Sequence, residues 1–402
     1  MEIILDVFNY ILAAILVGVA ITWIILIKSM WVSFRDSPFL DKFEARPHPK
    51  PKVSVILPAR NEEGFIEKCL ISLVDQDYEN YEIVAIDDRS EDRTAEIIKK
   101  MAEKNSKIIY VLADTKPENW MGKNWACFEG FKKSTGEMLL FTDADTKHSK
   151  NIISLSVAHL LSDNLDALTV IPKMICLDRW TKITLPMLST FLHTRFSAIR
   201  VNDPSKKTGY FFGSFFIIKR KTYESVGTHE GVKGEIVEDG ALGKKVKESG
   251  HNMKMVRGEH LIEAVWARDW STLWHALKRL MIPLYLQNKN IAVGIFVAVL
   301  FLLFMPFPIL AYSAIFANLS ESFSVLFIVS IITVSLHYVA AIIEVKKGLS
   351  LGLRHAILGP IGSFIIVIGF AAGILQAKSN TAVMWRGRTY SMVDQIQNSI
   401  SL

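Results

Sequence analysis

The stretch Leu139-Leu140-Phe141-Thr142-Asp143-Ala144-Asp145-Thr146 decides how the rest of the chain is read. An apolar run points into two carboxylates one residue apart. Buried strands of parallel sheets read as continuous hydrophobic runs, and open α/β sheets bind ligands beyond the carboxyl ends of their strands. Asp-x-Asp at such an edge offers the hard oxygen ligands that hold Mg²⁺ or Mn²⁺ against substrate phosphates. The same residues also suit a plain turn, because Asp is common where strands end. On this stretch alone both readings stand.

Working outward, Val53-Ser-Val-Ile-Leu57 is a short β-branched run closed by Pro58, which predicts a first strand. Asn61, Glu62 and Glu63 follow as cap and first-turn acids of a helix whose apolar positions Ile66, Leu70 and Leu73 recur at helical spacing. Tyr81–Ile86 predicts a second strand running into Asp87-Asp88-Arg89-Ser90, Thr94–Ala102 a helix, Ile108–Leu112 a third strand and 138–142 a fourth. Strands alternating with helices of this length predict βαβ units and a parallel sheet. Tyr210–Ile218 reads as a Gly-interrupted apolar strand pair backing a cleft.

Half of the 402 residues are hydrophobic, and the excess is concentrated. Residues 8–27 carry no charge and are long enough to cross a bilayer, which takes about 20 apolar residues. Further apolar stretches lie at about 291–317, 323–343 and 355–376. This divides the chain into an N-terminal anchor (1–35), a globular α/β domain (36–260), interfacial helices (261–290, with Trp266, Trp270, Trp274 and Tyr285), membrane segments (291–376) and a tail (377–402). Residues 183–199 suit either an amphipathic helix on the membrane or a core helix.

Lys28 and Arg35 follow the first span, which places the globular domain in the cytoplasm of a multi-pass cell-membrane protein. Three later spans would put the tail outside, whereas Arg386 and Arg388 favour the inside. A hairpin broken at Pro306 and Pro308, or a re-entrant last segment, restores an inner tail. Cys69, Cys127 and Cys176 show no ligand spacing and fit a reducing compartment. The net charge of +6 comes from Lys and Arg that flank apolar segments, so the partner it suggests is an anionic membrane surface rather than nucleic acid.

At this point the chain resembles glycosyltransferase family 2, the inverting nucleotide-sugar transferases. Pro58-Ala59-Arg60-Asn61-Glu62 looks like the family's opening motif and Asp87-Asp88 with Asp92 and Thr94 like its second. Asp143-Ala144-Asp145 matches the metal motif, and Glu238-Asp239 the late acidic pair. Several motifs in the right order are a strong signal where each alone is weak. Trp120-Met-Gly-Lys123 and Trp385-Arg386-Gly-Arg388-x-Tyr390 are similar to the membrane-bound branch that glycosylates lipids, including ceramide glucosyltransferase-like and hopanoid- or carotenoid-associated enzymes. The family's Gln/Arg-x-x-Arg-Trp sequence has only a degenerate counterpart here, His275-Ala-Leu-Lys278-Arg279.

The resemblance implies a GT-A fold with a Rossmann-like mixed sheet, a nucleotide-sugar donor (a UDP-sugar), a divalent metal (Mg²⁺ or Mn²⁺) on Asp143 and Asp145, and a lipid acceptor. Pro58, Ala59, Arg60, Glu62 and Asp88 would line the nucleoside, Lys123 and Asp143 the diphosphate, and Asp239 with Glu238 would supply the base. Lys278, Arg279, Trp385, Arg386 and Arg388 would belong to the diphosphate or acceptor side. A transferase making polyprenyl-phosphate sugars and a non-catalytic membrane scaffold are the alternatives. Plain readings compete at each position. Acids at a helix start need no catalytic reason, a lone lysine is usually solvated, and Arg60 can simply pair with a surface acid. His148, His193, His229 and His251 read as structural.

Overall fold

The computed structural model describes residues 2–44, 46–191, 195–379, 382–385 and 388–391. The chain divides into two compact units, one of Ser37–Ile175, Phe196–Trp266 and Met384–Leu402, the other of Met1–Asp36, Cys176–Arg195 and Ala267–Val383.

The first unit is built on strands β1 (Val53–Ala59), β2 (Tyr81–Asp87), β3 (Ile108–Leu112), β4 (Met138–Phe141), β5 (Thr146–His148), β6 (Ala167–Ile171), β7 (Lys173–Cys176), β8 (Phe216–Lys219), β9 (Met253–Arg257) and β10 (Ile262–Ala267). Seven of them form one sheet in the order β3-β2-β1-β4-β8-β6-β9. Here β3, β2, β1 and β4 run parallel and β8 lies antiparallel to both β4 and β6, so the sheet is mixed. Successive side chains of β1 go to opposite faces. Val53, Val55 and Leu57 join a core with helices Ile66–Val74, Thr94–Lys104 and Ile152–Ser162, while Ile56 joins a second core with helices Gly122–Lys133 and Glu238–Glu248. Both faces are covered, which is why these strands are apolar throughout.

β1 does not stop before Pro58, as its run suggested, but continues through it. Val53 N–H bonds toward the β2 side, so alternation turns the nitrogen of Pro58 toward β4. Pairing with β4 ends at Ile56. Proline therefore removes no ladder bond, and the sheet parts beyond Ile56 and Phe141.

Helix Ile66–Val74 begins after Phe65, so Asn61, Glu62 and Glu63 lie before it rather than serving as its cap and first-turn acids. Three further segments differ from their sequence reading. Only Phe216–Lys219 of the expected strand pair is a strand; Tyr210–Phe215 loops back, closed by Phe215 N–H to the Phe212 carbonyl at 3.0 Å. Ile262–Ala267, expected in an interfacial helix, pairs antiparallel with β5 in a second sheet of order β5-β10-β7. Its mixture of Glu263 with Ile, Ala and Val is a half-buried strand pattern. Residues 183–199 are not one helix: Arg179–Ser189, capped by Asp178, belongs to the other unit, and a separate helix Ala198–Asn202 starts at its own Ser197 cap. His193 lies outside the described residues.

The second unit holds the apolar helices. Ile3–Asp36, Glu321–Gly348 and Gly359–Ala377 are each long and apolar enough to cross a membrane, and Lys289–Leu303 with Pro306–Phe316 forms a pair bent by 50°. The first and Glu321–Ile343 run side by side in the same direction. Asn9 Nδ2 donates to Ser322 Oγ at 3.0 Å, Ser320 and Ser322 hydroxyls donate to Asp6, Thr333 Oγ1 donates to the Leu16 carbonyl at 3.3 Å, and the Trp23 and His337 rings lie 5.3 Å apart. The bent pair runs the other way, with the Leu302 carbonyl on Trp23 Nε1 and the Tyr312 hydroxyl on Asn9. The 50° bend keeps both halves running in one direction, so the pair does not double back as the hairpin that Pro306 and Pro308 suggested. Helix Trp270–Gln287 opens on a capping box of Asp269 and Thr272.

Candidate active site

The loops after β1 and β2 are laced to each other. Asn61 and Arg89 both adopt φ of 53°, a left-handed conformation that turns each chain sharply at the strand end. Asn61 N–H donates to Ser90 Oγ, Glu91 N–H to Asn61 Oδ1 and Glu62 N–H to Thr94 Oγ1. The nearly buried Arg60 guanidinium donates to the carbonyls of Asp88 and Arg89 and pairs with Glu91 at 2.9 Å. Asp88 N–H bonds the Ala59 carbonyl at 2.8 Å, and Ala59, Glu62 and Asp88 are all buried at this junction.

The end of β4 is held as firmly. Thr142 Oγ1 donates to the Ser214 carbonyl at 2.7 Å, which leaves the proton on His148 Nε2 to donate to Thr142 at 3.0 Å. Thr146 Oγ1 donates back to the Asp143 carbonyl at 2.7 Å, and the Asp145 carbonyl accepts Val265 N–H from β10. Burial pushes the His148 pKa down to about 3, so the ring is a neutral structural element. The turn that carries Asp143 and Asp145 is thus a braced one.

Lys123, on the first turn of helix Gly122–Lys133, reaches Asp143 Oδ1 and Glu238 Oε1, each at 2.7 Å. Burial works against its charge, but Asp143, Glu238 and Asp239 outweigh it and hold the ammonium well above its usual pKa. Asp239 accepts Gly213 N–H on Oδ2 at 2.6 Å and Gly240 N–H on Oδ1 at 2.8 Å. Its enclosure, and then the Glu238 charge, push its pKa up to about 7 against the opposing pull of Lys123. A carboxyl that titrates near neutrality is matched to proton transfer at that pH.

Gly213 stands at the meeting point of these groups. A β-carbon there would lie 2.7 Å from Asp239 Oδ2, 2.9 Å from Lys123 Nζ and 3.4 Å from Asp143 Oδ2. On the far side of Asp239, the helix Glu238–Glu248 carries two interior glycines, each costing roughly 0.5–1 kcal/mol relative to alanine. They admit Tyr210: a β-carbon on Gly240 would meet its ring at 2.9 Å, and one on Gly243 the Tyr210 and Phe211 backbone at 2.6–2.8 Å. Burial, then Asp239 and Glu238, keep the Tyr210 phenol protonated well above its usual range.

A narrow cleft between the parted strands is lined by Pro58, Lys123, Thr142, Gly213, His229 and Glu238. His229 is held neutral, its pKa pushed down to about 3 by burial and then by Lys123, and its Nδ1 shares a hydrogen bond with the Tyr223 hydroxyl at 2.6 Å. Asp143, Lys123, Glu238 and Asp239, separated by up to 116 positions in sequence, thus meet around one glycine, with Pro58 on the same cleft. Lys278 and Arg279 lie on helix Trp270–Gln287 of the other unit. Trp385 and Arg388 fall in two short paired strands, and Arg386 lies outside the described residues. Tyr210 and Gly213 fall in the stretch read as backing a cleft, and His229, read as structural, lines the same cleft as Gly213.

Among the described residues no three His, Cys, Asp or Glu side chains form a metal cage. Asp143 and Asp145 beyond the end of β4 are hard oxygen donors, a donor type that suits Mg²⁺ or Mn²⁺ when phosphate oxygens and water complete the shell.

Comparison with known proteins agrees with this architecture. The model of "Glycosyl transferase family 2" matches residues 54–227. A 4,4'-diaponeurosporenoate glycosyltransferase of Staphylococcus haemolyticus is 31% identical over 198 residues, covering 48% of this chain and 50% of the relative. A dolichol-phosphate mannosyltransferase of Pyrococcus furiosus is 38% identical over 104 residues, 25% of this chain and 28% of the relative. The alignments thus span about half or less of these relatives' length. A mannosyltransferase from Pyrobaculum calidifontis, solved with GDP-Man and Mn²⁺, shares the fold with a TM-score of 0.52 at 19% identity, over 83% of this chain and 98% of that one. The mixed sheet is that of a GT-A-like fold, and residues 54–227 match the glycosyl transferase family 2 model.

Proposed function

We propose that the chain transfers a sugar, with inversion, from a nucleoside diphosphate sugar to a hydroxyl of a membrane lipid. In this reading the bond between the sugar's anomeric carbon and the diphosphate oxygen breaks as the acceptor oxygen attacks from the opposite face, and the acceptor's proton passes to Asp239. The observation that carries it is the Asp239 carboxyl, tied by two backbone N–H groups, raised to about 7, and set beside the Lys123–Asp143–Glu238 ion pairs.

Pro58, Ala59, Glu62 and Asp88 line the nucleoside in this reading, and Arg60 serves by holding the Asp88 loop. Lys123 meets the diphosphate as a point charge. Asp143 and Asp145 would hold a Mg²⁺ or Mn²⁺ ion, which supplies Lewis-acid neutralisation of the leaving diphosphate. UDP is the preferred nucleotide. Lys278, Arg279, Trp385, Arg386 and Arg388 are assigned to the diphosphate or acceptor side on motif position. Lys28 and Arg35 after the first span support a multi-pass cell-membrane protein with this domain on the cytoplasmic side.

The relative from Pyrococcus furiosus, by its name, supports a second reading in which a polyprenyl phosphate accepts the sugar. A screen of UDP- and GDP-sugars for diphosphate release, with and without Mn²⁺ and against a membrane lipid extract, tests both. An alkali- and acid-stable glycolipid supports the hydroxyl acceptor, and an acid-labile phosphodiester the phosphate. Asp239→Asn lowers turnover by about 10²–10⁴-fold if the base is right; unchanged turnover would sink the assignment of Asp239, and no donor turnover by wild type would leave a membrane scaffold.

A further inference from the structure

Lys123, His229 and Glu238 line one cleft, yet they come from two separate pieces of chain. Lys123 stands on helix Gly122–Lys133, whose Ala126 and Cys127 are built into the core with Ile56 and Phe141. His229 and Glu238 bound a segment whose regular structure is one short 3-10 turn, Glu230–Val232. Asn124, the residue after Lys123, ties that segment to the helix. Its Nδ2 donates to the carbonyls of Val232 at 2.7 Å, Glu235 at 3.1 Å and Lys233 at 3.3 Å, and Met121 N–H donates to the Lys233 carbonyl at 2.7 Å. Asn124 is fully buried. A reversed amide would press its oxygen against all three carbonyls, so the nitrogen end must face the segment. The oxygen end is buried without a hydrogen-bond partner among the described residues, which is a cost to the fold. The grip of the nitrogen end offsets that cost.

Given the transfer reading above, on which this rests, we infer that Asn124 is a positioning residue: its amide holds the segment that carries the base at its working distance from the donor side. The helix is fixed by its core packing, whereas the segment is irregular and runs through Ile236 and Val237 straight into Glu238 and Asp239. Loss of the clamp therefore moves the acids rather than Lys123. Glu238 then leaves Lys123, now 2.7 Å away, and Asp239 slides against Gly213, whose N–H orients it. Because the amide faces the segment, Asn124 acts through Asp239 and not on the reactants. Its effect belongs to the acceptor's proton transfer rather than to capture of the sugar nucleotide.

The test uses the full chain in detergent micelles, with the sugar nucleotide that releases diphosphate and a membrane lipid extract as acceptor. Asn124→Ala lowers kcat by roughly 10²-fold while the donor KM stays within about twofold, because the acids shift and the donor side does not. Asn124→Ser, which keeps one donor and disturbs the fold less, falls between wild type and Asn124→Ala. A double-mutant cycle with Asp239→Asn separates positioning from folding. Where Asn124 acts through Asp239, adding Asn124→Ala to Asp239→Asn costs less than about a further twofold in turnover. A further loss of about 10²-fold in both backgrounds is what a merely structural role gives, and it overturns the assignment. A kcat within about twofold of wild type in Asn124→Ala overturns it as well, whatever the donor KM does. If wild type releases diphosphate from no sugar nucleotide, the transfer reading itself fails; if Asp239→Asn turns over like wild type, the base assignment fails; in either case the role of Asn124 falls with it.

Discussion

Gly213 contributes by what it lacks. The space of a missing methyl group is where Lys123, Asp143 and Asp239 approach one another, and the glycine N–H is also the donor that orients Asp239 Oδ2. Gly213→Ala has to displace at least one of these groups by several tenths of an ångström, and a misplacement of about 1 Å can cost roughly 10²-fold in rate. The expected outcome is a fall in kcat of that order with a melting temperature close to wild type, measured by steady-state kinetics and thermal unfolding. Asp239 gives a second prediction, with its sign fixed by its raised pKa. In the proposed reading the carboxylate is the active form, so the rate falls as pH drops below about 7. Stability moves the other way. A folded-state pKa above the unfolded one favours the protonated form, so its stabilising effect is complete in acid and is lost as pH rises through about 7. Asp239→Asn should therefore gain more melting temperature over wild type at pH 8 than at pH 5.

At the scale of elements, β1, β2 and the turn into β4 are knotted through Glu82. Its Oε1 accepts Ser54 Oγ at 2.6 Å and Thr135 N–H at 2.7 Å, Lys52 pairs with its other oxygen, and Gly136 N–H closes on Ser54 Oγ at 2.7 Å. Burial opposes the charge, but Lys52, Ser54 and Thr135 outweigh it and draw the pKa down to about 2. The resulting stability is complete above the ordinary carboxyl value of 4.5 and is lost as pH falls toward 2. Glu82→Gln should cost about 1–2 kcal/mol at neutral pH and flatten this acid limb, read from melting temperature against pH. The first four strands were legible because buried parallel strands are apolar on both faces. β5 is three residues long and β9 is an edge strand that mixes Lys254 and Arg257 with Met and Val, so neither carries a usable period. Tyr210–Phe215 has strand-like composition, yet its backbone is needed against Gly243, and packing between residues far apart in sequence has no local signature. The acids and Lys123 were visible as types at recognisable spacings. That they converge on Gly213, and that Arg60 clasps a loop, belongs to the folded chain alone.

At the scale of the whole molecule, the parallel run of the first helix and Glu321–Ile343 fixes a directional relation between distant parts of the chain. Residue 4 and residue 319 should react from the same side of the membrane, and Lys346 from the opposite side. Single-cysteine variants at these positions, treated with a membrane-impermeant thiol reagent in sealed and opened vesicles, check it; equal labelling of all three from one side would contradict the arrangement. The same pairing has a consequence for how the protein is made. Asn9 and Ser322 are 313 residues apart, so at roughly 5–20 residues per second the ribosome delivers the partner about 15–60 s after the helix that needs it. Throughout that interval the amide of Asn9 sits in the first apolar helix without the hydroxyl that satisfies it. The nascent chain must wait half-assembled, held by provisional neighbours, until its own far end arrives to complete the bundle.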